Sequence, residues 1–385
     1  MKVHRTLPPT AAPLSIVDIL NGFSGLLVGK KYLKVLKKEL QEYFGVKHVF
    51  LVSSGKAALT IILKAIKAID SRREVIIPAY TCYSVPAAII KAGLKVSLCD
   101  IRTDTYDFNY KELAKIINEN TLCIIPSNLF GIPSDIDRIN ELCRNKNIYI
   151  IEDAAQAMGG IYKDKLIGTN GDVGFFSLGR GKNITCGSGG IIVTNSAHIA
   201  ANINKYYSSI EYPNNLKELV EAFLLVLMTV FIRPTLYWFP AGLSFLELGE
   251  TKYPNDIPIK KLSGIKAGLL HSWRKNLIKS NIVRKNNTKK YNKYISRKIP
   301  CLRVPILMKN TESREKLYSN SRKKGLGLSK MYPASVNEIL EIRSLFIGEQ
   351  YPIAKKVSER LLTLPTHQYL REKDIEDIIE LLDSH

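Results

Sequence analysis

The sequence predicts an α/β protein, with a mostly parallel central sheet covered by helices on both faces and a smaller α/β domain at the C-terminus. Three observations predict it. Short apolar runs alternate with amphipathic stretches from His48 to Ile151, roughly 100 residues, a pattern that implies right-handed crossovers between parallel strands. The runs end in small or polar residues, among them Gly55, Cys82, Asn128 and Asp153, so active groups should gather at the carboxyl edge of the sheet. After a change of composition near Tyr207 the strand and helix pattern resumes at Cys301 and continues to the end.

The elements follow in order. Residues 1–14 are Pro-rich, lack the apolar core of a signal peptide and read as an extended arm. Lys30 to Phe44 carries Leu33, Leu36, Leu40 and Tyr43 at helical spacing, with lysines on the other face. His48 to Val52 is a strand, and Ser53, Ser54 and Gly55 open a helix from Lys56 to Ile69. The first amides of such a helix are unpaired and favour an anion, which makes Gly55, Lys56 and Ala57 candidates for holding a phosphate. Glu74 to Ile77 and Lys95 to Cys99 are strands, with a helix between them ending at Ala92. Lys111 to Ile117 and Ser134 to Cys143 are helices, and Leu122 to Ile125 and Ile148 to Ile151 are strands. Pro258 to Lys279 reads as one long helix and Asn281 to Ile295 as a second, basic one. Cys301 to Leu307, Thr311 to Lys324, Leu361 to Leu364 and Lys373 to Leu382 supply the last strands and helices. The domain boundaries expected are an arm at 1–14, a large domain at 15–255 and a smaller one at 256–385.

At 385 residues and 45% apolar content the chain can bury a large core in two domains. Six scattered cysteines without a CxxC pair suit reduced thiols and offer no zinc site. Fifty-six basic against 35 acidic side chains leave a net charge of +21, which attracts anions: nucleic acid, an anionic membrane, or a phosphorylated substrate. No nucleic-acid motif or row of stacking aromatics accompanies the charge, so nucleic acid is the weakest of the three.

One lysine stands where packing gives no reason for it. From Asp172 to Asn195, Phe175 and Phe176 close an apolar strand, Ser177 to Lys182 turn through Gly179 and Gly181, and Ile191 to Val193 return as a second strand. The bend presents Lys182, and Arg180 puts a second positive charge beside it. Like charge and partial burial both favour the neutral, nucleophilic amine that condenses with an aldehyde. Upstream, the buried strand Ile148 to Ile151 runs into Glu152 and Asp153. A carboxylate there and a lysine-bearing turn soon after suit a pyridoxal phosphate enzyme.

The segments SSGKAAL from Ser53, VIIPAYTCYSVPAAIIKAGLKV from Val75, NLFGIPSDIDRI from Asn128, IEDAAQAMGG from Ile151 and GDVGFFSLGRGKN from Gly171 resemble the DegT-type (DegT/StrS) sugar aminotransferases, within the fold-type I pyridoxal phosphate enzymes. The likeness runs from about Phe23 to the C-terminus. It implies that Lys182 carries the cofactor aldehyde and moves the proton during transfer, and that Asp153 holds the pyridine nitrogen protonated. It also implies that Ser177 and the Gly55 turn anchor the phosphate and that Gln156 touches the ring hydroxyl, the alternative for Gln156 and Ser177 being to satisfy local backbone groups. Cys82 stands where the family places the aromatic that covers the ring, which leaves two readings for Tyr80 and Tyr83: one of them takes that role, or both pack in the core. Lys56 replaces the usual threonine, and Asn128 stands where histidine is common and lines the site. Ile259 and Lys261 replace the asparagine and arginine that reach a neighbouring subunit. His367 reads as structural. Relatives that dehydrate sugars carry histidine in place of the lysine, which argues for transamination here.

The resemblance therefore implies a homodimeric cytoplasmic aminotransferase that moves an amino group, from glutamate or glutamine, onto a keto sugar, most plausibly nucleotide-linked, in surface polysaccharide or glycan biosynthesis. One stretch falls outside it. Leu219 to Leu246 holds only Glu221 and Arg233 as charges, and Ala222 to Ile232 is eleven residues with only Thr229 polar, against about 20 needed to cross a hydrocarbon core. It is either a helix pair buried in a dimer interface or against the sheet, or a hairpin resting in an anionic leaflet with Tyr237 and Trp238 at its rim. Two alternatives follow: a non-catalytic membrane-bound scaffold of the same fold, or an aminotransferase acting on a lipid-linked or acylated ketone at the inner face of the cell membrane.

Overall fold

Apolar strands and amphipathic helices close into a seven-stranded sheet in a computed structural model of the chain, which describes residues 5–295 and 299–384. Residues 1–4 of the expected arm, and 296–298 and 385 of the expected C-terminal domain, lie outside the described residues. In chain order the first half holds α1 (Ile16–Phe44), β1 (His48–Val52), α2 (Gly55–Lys67), β2 (Glu74–Pro78), α3 (Ser84–Lys91), β3 (Lys95–Cys99), α4 (Tyr110–Ile116) and β4 (Thr121–Ile124). Then come α5 (Ile136–Cys143), β5 (Tyr149–Asp153), the small hairpin β6 (Ile161–Tyr162) and β7 (Lys165–Leu166), β8 (Val173–Ser177), β9 (Gly190–Thr194) and α6 (Ala197–Ser209). The rest comprises α7 (Asn215–Phe231), α8 (Pro234–Gly242), α9 (Gly264–Leu269), α10 (Trp273–Lys290), β10 (Arg303–Leu307), α11 (Thr311–Lys324), α12 (Pro352–Arg360), β11 (Leu361–Pro365) and α13 (Glu372–Asp383).

The strand order is β1-β9-β8-β5-β4-β2-β3. Strand β9 is antiparallel to both of its neighbours and the remaining pairs are parallel, so six strands point one way and only β9 runs back. The period of two decides which face each residue feeds. Val75 and Ile77 join the core with α2 and α3, whereas Ile76 joins Phe108, Leu113 and Ile139 on the opposite face. A second core on that opposite face joins Leu36, Leu40, Phe176, Leu269 and Trp273. The C-terminal unit has its own core of Leu317, Leu326, Leu362, Leu364 and Ile378 around the antiparallel pair β10 and β11.

Three helix expectations need correction. The first helix begins at Ile16, not Lys30, capped by Ser15 and Asp18 and kinked at Val28. Its first half is hidden in the sequence because Gly22, Gly25 and Gly29 break the usual pattern. They let α1 lie directly on α9, where a Cβ at Gly25 would stand 2.3 Å from the Gly264 carbonyl oxygen. Residues 258–279 are not one helix. The chain is extended up to Ser263, since Lys261 bridges to Val52 and Lys260 receives the Ser53 amide on its carbonyl, and only then forms α9, a turn and α10. No break separates Lys279 from Asn281, because α10 continues unbroken to Lys290.

The apolar stretch Leu219 to Leu246 forms α7 and α8, which meet at a 118° bend. It is not buried against the sheet. Only Glu218, Ala222 and Leu225 of α7 are buried, whereas Leu216, Val220, Phe223, Leu224, Leu227 and Val230 are exposed. Buried Glu218 fixes α7 by an ion pair with Lys266 of α9, 2.9 Å long, and Lys266 also reaches Glu221 and Ser188.

Candidate active site

The carboxyl ends of β1, β2, β4, β5 and β8 open onto a cavity of about 450 Å³ that Leu302, Arg303 and Lys330 to Tyr332 of the C-terminal unit also line. Its floor is built by loops that follow the strands. At the end of β1, Ser54 caps α2 by accepting the Ala57 amide at 3.1 Å. The amides of Gly55 and Lys56 have no acceptor among the described residues and remain available to an anion. A Cβ at Gly55 would stand 2.9 Å from the Ser177 Cβ, so glycine is what allows the serine at the end of β8 to lie against the helix start. Gly55, Lys56 and Ser177 all line the cavity. Ala57 is fully buried, outside the lining, with its amide committed to the cap.

At the end of β5 the alternation of side chains separates two adjacent acids. Glu152 turns away to accept the amides of Gly168 at 2.9 Å and Gly171 at 2.7 Å, pinning the loop before β8. Asp153 faces the cavity and accepts the Ala155 amide at 3.0 Å. Burial raises its carboxyl above the usual range, opposed by that amide and by the charge of Lys182. Lys182, on the bend between β8 and β9, faces the same cavity. Burial holds its amine below the usual lysine range, the Arg303 guanidinium acts in the same direction, and Cys82 and Asp153 oppose. Among the described residues no ion pair or hydrogen bond joins Lys182 to Asp153, so both groups are free to meet something placed between them.

Several expected neighbours are placed differently. The like charge near Lys182 comes from Arg303 rather than Arg180, whose guanidinium turns to the Met228 sulfur at 3.1 Å. Tyr80 cannot cover a ring in the cavity, because it is fully buried with its hydroxyl on the Met331 carbonyl at 2.7 Å. Tyr83 does line the cavity, and the ring stacked on it at 6.3 Å is Tyr332. Gln156 is committed at both ends, accepting the Phe130 amide at 3.0 Å and donating to the Tyr332 hydroxyl at 2.8 Å. Asn128 lines the cavity while tying the Asp153 carbonyl to the Ser134 amide, and Cys82 lies beside Ser84. Lys261 sits over the Tyr207 and Tyr212 rings, and Ile259 packs on the core. His367 is structural: it is buried, meets the Pro8 carbonyl at 2.8 Å, and burial pushes its pKa down to about 3.

Three groups on the cavity wall escape sequence reasoning. Tyr332 follows β10 and α11 in a left-handed conformation with φ 39°, an unusual setting for a bulky residue. Arg303 starts β10, and residues 249–252 arrive from the segment after α8. Only the positive φ marks a special position, and no sequence pattern announces it.

The donor set fits pyridoxal phosphate: free helix amides and Ser177 for a phosphate, a desolvated amine for an aldehyde, and a buried carboxylate for a ring nitrogen.

A sequence model of the DegT/DnrJ/EryC1/StrS aminotransferase family matches residues 17–211 and 274–383. An uncharacterised protein of Methanocaldococcus jannaschii is 36% identical over 188 residues, 49% of this chain and 48% of that protein. GDP-perosamine synthase of Vibrio cholerae is 32% identical over 166 residues, 43% and 45% of the two chains. The matched segment thus spans about half the length of these curated relatives. Among solved structures, Helicobacter pylori PseC, an aminotransferase of pseudoaminic acid biosynthesis, superposes with a TM-score of 0.80 at 18% identity, covering 99% of this chain and 100% of that one. GDP-4-keto-6-deoxy-D-mannose-3-dehydratase of E. coli, solved with bound hydrated PLP, gives 0.78 at 18% identity, covering 98% and 99%. These two show the fold. The chain belongs to the DegT/DnrJ/EryC1/StrS aminotransferase family.

Proposed function

We propose that this chain is a pyridoxal phosphate-dependent aminotransferase that transfers an amino group from glutamate or glutamine to a nucleotide-linked keto sugar in glycan biosynthesis. The observation that carries the reading is the desolvated Lys182 amine facing the same cavity as the buried Asp153 carboxylate. When bound, the cofactor supplies an aldehyde that condenses with amines and a ring that accepts electrons. The chain's own residues do the rest. Gly55, Lys56 and Ser177 would hold the phosphate and Asp153 would keep the ring nitrogen protonated, in a cavity that Cys82 and Tyr332 also line. Lys182 takes the proton from the donor carbon and returns one to the sugar carbon through Nζ. On the cavity wall Lys252 and Lys330 pair with Glu247 and Glu315, whereas Lys56 and Arg180 have no ion pair among the described residues, two free cations that suit a diphosphate-linked substrate.

The test is a visible absorption band from the purified protein, together with the mass of the product formed from candidate nucleotide keto sugars and glutamate. Absence of a band that depends on Lys182 would favour the non-catalytic scaffold. We assign the exposed apolar face of α1, where Ile16 is 76% and Leu27 91% exposed, to the contact between two copies. Leu27→Glu is expected to shift a dimer to monomer in sedimentation velocity.

A second reading concerns where the substrate is met. No single described helix is long and apolar enough to cross a membrane, but α7 and α8 together have that length and composition as a bent pair, and both expose apolar side chains. They lead directly into residues 249–252 of the cavity wall. An anionic lipid surface on this ledge would bring a lipid-linked ketone to the cavity. Recovery of all the protein in the supernatant at low salt without detergent would exclude it.

A further inference from the structure

Arg303 is a buried cation with no acid to meet it. It begins β10 where that strand reaches the cavity, and it takes part in no ion pair among the described residues. One nitrogen, Nη1, donates to the Ser329 hydroxyl at 3.0 Å and touches the Met331 sulfur at 3.2 Å. Nε is buried without any partner, and no hydrogen bond is made by Nη2, which lies 3.7 Å from where a Cβ on Gly181 would stand, next to Lys182. The unused pair, Nε and Nη2, is the edge of a guanidinium that grips a carboxylate through two parallel bonds.

The surroundings make an unpaired edge costly. A buried charge without a counter-ion is destabilising. The charges nearby are of the same sign: Lys182 on the bend, and Arg284 of α10, which is fully buried but satisfied by the carbonyls of Leu302 and Ala11 and the Thr366 hydroxyl. Tyr237 and Tyr332 also face Arg303, and both are neutral. Of the two carboxylates on the cavity wall, Asp153 bonds Ala155 and Glu250 is exposed. The helix start at Gly55 already offers a separate seat for a phosphate. We propose that Arg303 is the carboxylate-binding residue for the amino donor, holding the donor's carboxylate by its Nε–Nη2 edge so that the donor amine lies beside Lys182. This rests on the aminotransferase reading and adds to it the chemistry that admits one of the two substrates.

The experiment titrates wild-type protein, Arg303→Lys and Arg303→Gln with glutarate, a dicarboxylate that lacks the amine, and separately with inorganic phosphate, following the thermal midpoint with and without pyridoxal phosphate. Circular dichroism checks that each variant is folded. Glutarate is expected to raise the wild-type midpoint, with affinity at least tenfold weaker in Arg303→Gln and intermediate in Arg303→Lys, while both variants still take up the cofactor. On the loaded protein, KM for the donor should rise at least tenfold, with KM for the sugar unchanged. Equal glutarate affinity in wild type and Arg303→Gln overturns the proposal. So does a variant that keeps its glutarate response and loses its response to phosphate or cofactor, since Arg303 would then be a phosphate ligand. If the wild type never develops a cofactor band, the aminotransferase reading fails by itself, while the glutarate titration of the unloaded protein still decides the subsite.

Discussion

The floor of the cavity and the segment 212–273 beside it were built under different constraints. The floor comes from tight turns after parallel strands, where Gly55, Asp153, Ser177 and Lys182 are set by backbone geometry and converge within one sheet edge. The other segment falls between the two stretches of the family match, exposes apolar side chains on α7 and α8, and is tied down by the buried pair Glu218–Lys266 and by α9 lying on α1. It nevertheless delivers residues 249–252 to the wall of the same cavity. The candidate chemical groups therefore lie within the family match, while the segment outside it supplies part of the cavity wall.

Changes on the floor should have the largest effects. Lys182→Ala is expected to abolish the visible cofactor band and lower transamination by roughly 10³-fold or more, read by absorption and product formation. Asp153→Asn removes the buried carboxylate proposed to meet the ring nitrogen, and kcat should fall roughly 10²-fold or more while the protein stays folded. If either change left kcat within a factor of two, the floor would lose its claim to the chemistry.

The join between the two regions can be broken mechanically. A side chain at Gly25 would meet the Gly264 carbonyl at 2.3 Å, so Gly25→Val should separate α1 from α9 and cost about 1–3 kcal/mol in denaturant unfolding. A smaller effect tests the arm that crosses the C-terminal unit. His367 has a pKa of about 3 in the fold against 6.5 when free, so between these values the unfolded chain binds a proton that the folded chain refuses. Its contribution is therefore complete above about pH 6.5 and is lost as the pH falls towards 3. His367→Gln should flatten the decline of Tm between pH 7 and pH 5. The smallest change is expected from Phe223→Ser with Leu224→Ser on the exposed face of α7. Stability should move by roughly 0.5 kcal/mol or less and kcat should hold, whereas the vesicle binding that the lipid-surface proposal requires should be lost in co-sedimentation.

Much of the floor can be read in advance because its signals are local. An apolar run of four or five residues followed by a glycine, an acid or a lysine-bearing bend fixes both an element and the place where its end projects. Those signals and the family resemblance point to Gly55, Lys56, Cys82, Asp153, Gln156, Ser177 and Lys182. The structure brings all of them to one cavity, although Gln156 spends both ends of its amide on Phe130 and Tyr332. Ala57 points the same way in the sequence but is taken up by the helix cap. The first half of α1 is not legible, because its apolar residues face outward and its glycines serve α9, a helix far along the chain.

The order of the strands and of most helices, and the amine and carboxylate of the candidate site at the carboxyl edge, follow from the primary structure, since each depends on residues close together in the chain. Which cation stands beside Lys182, which aromatic ring meets Tyr83, and whether α7 and α8 lie open or buried were settled by the folded molecule. Those outcomes rest on contacts between distant segments: Arg303 against the Gly181 bend, Tyr332 against Tyr83, and Glu218 against Lys266. No local propensity encodes such contacts, because side-chain burial and charge pairing are set by where the folded backbone brings the partners together.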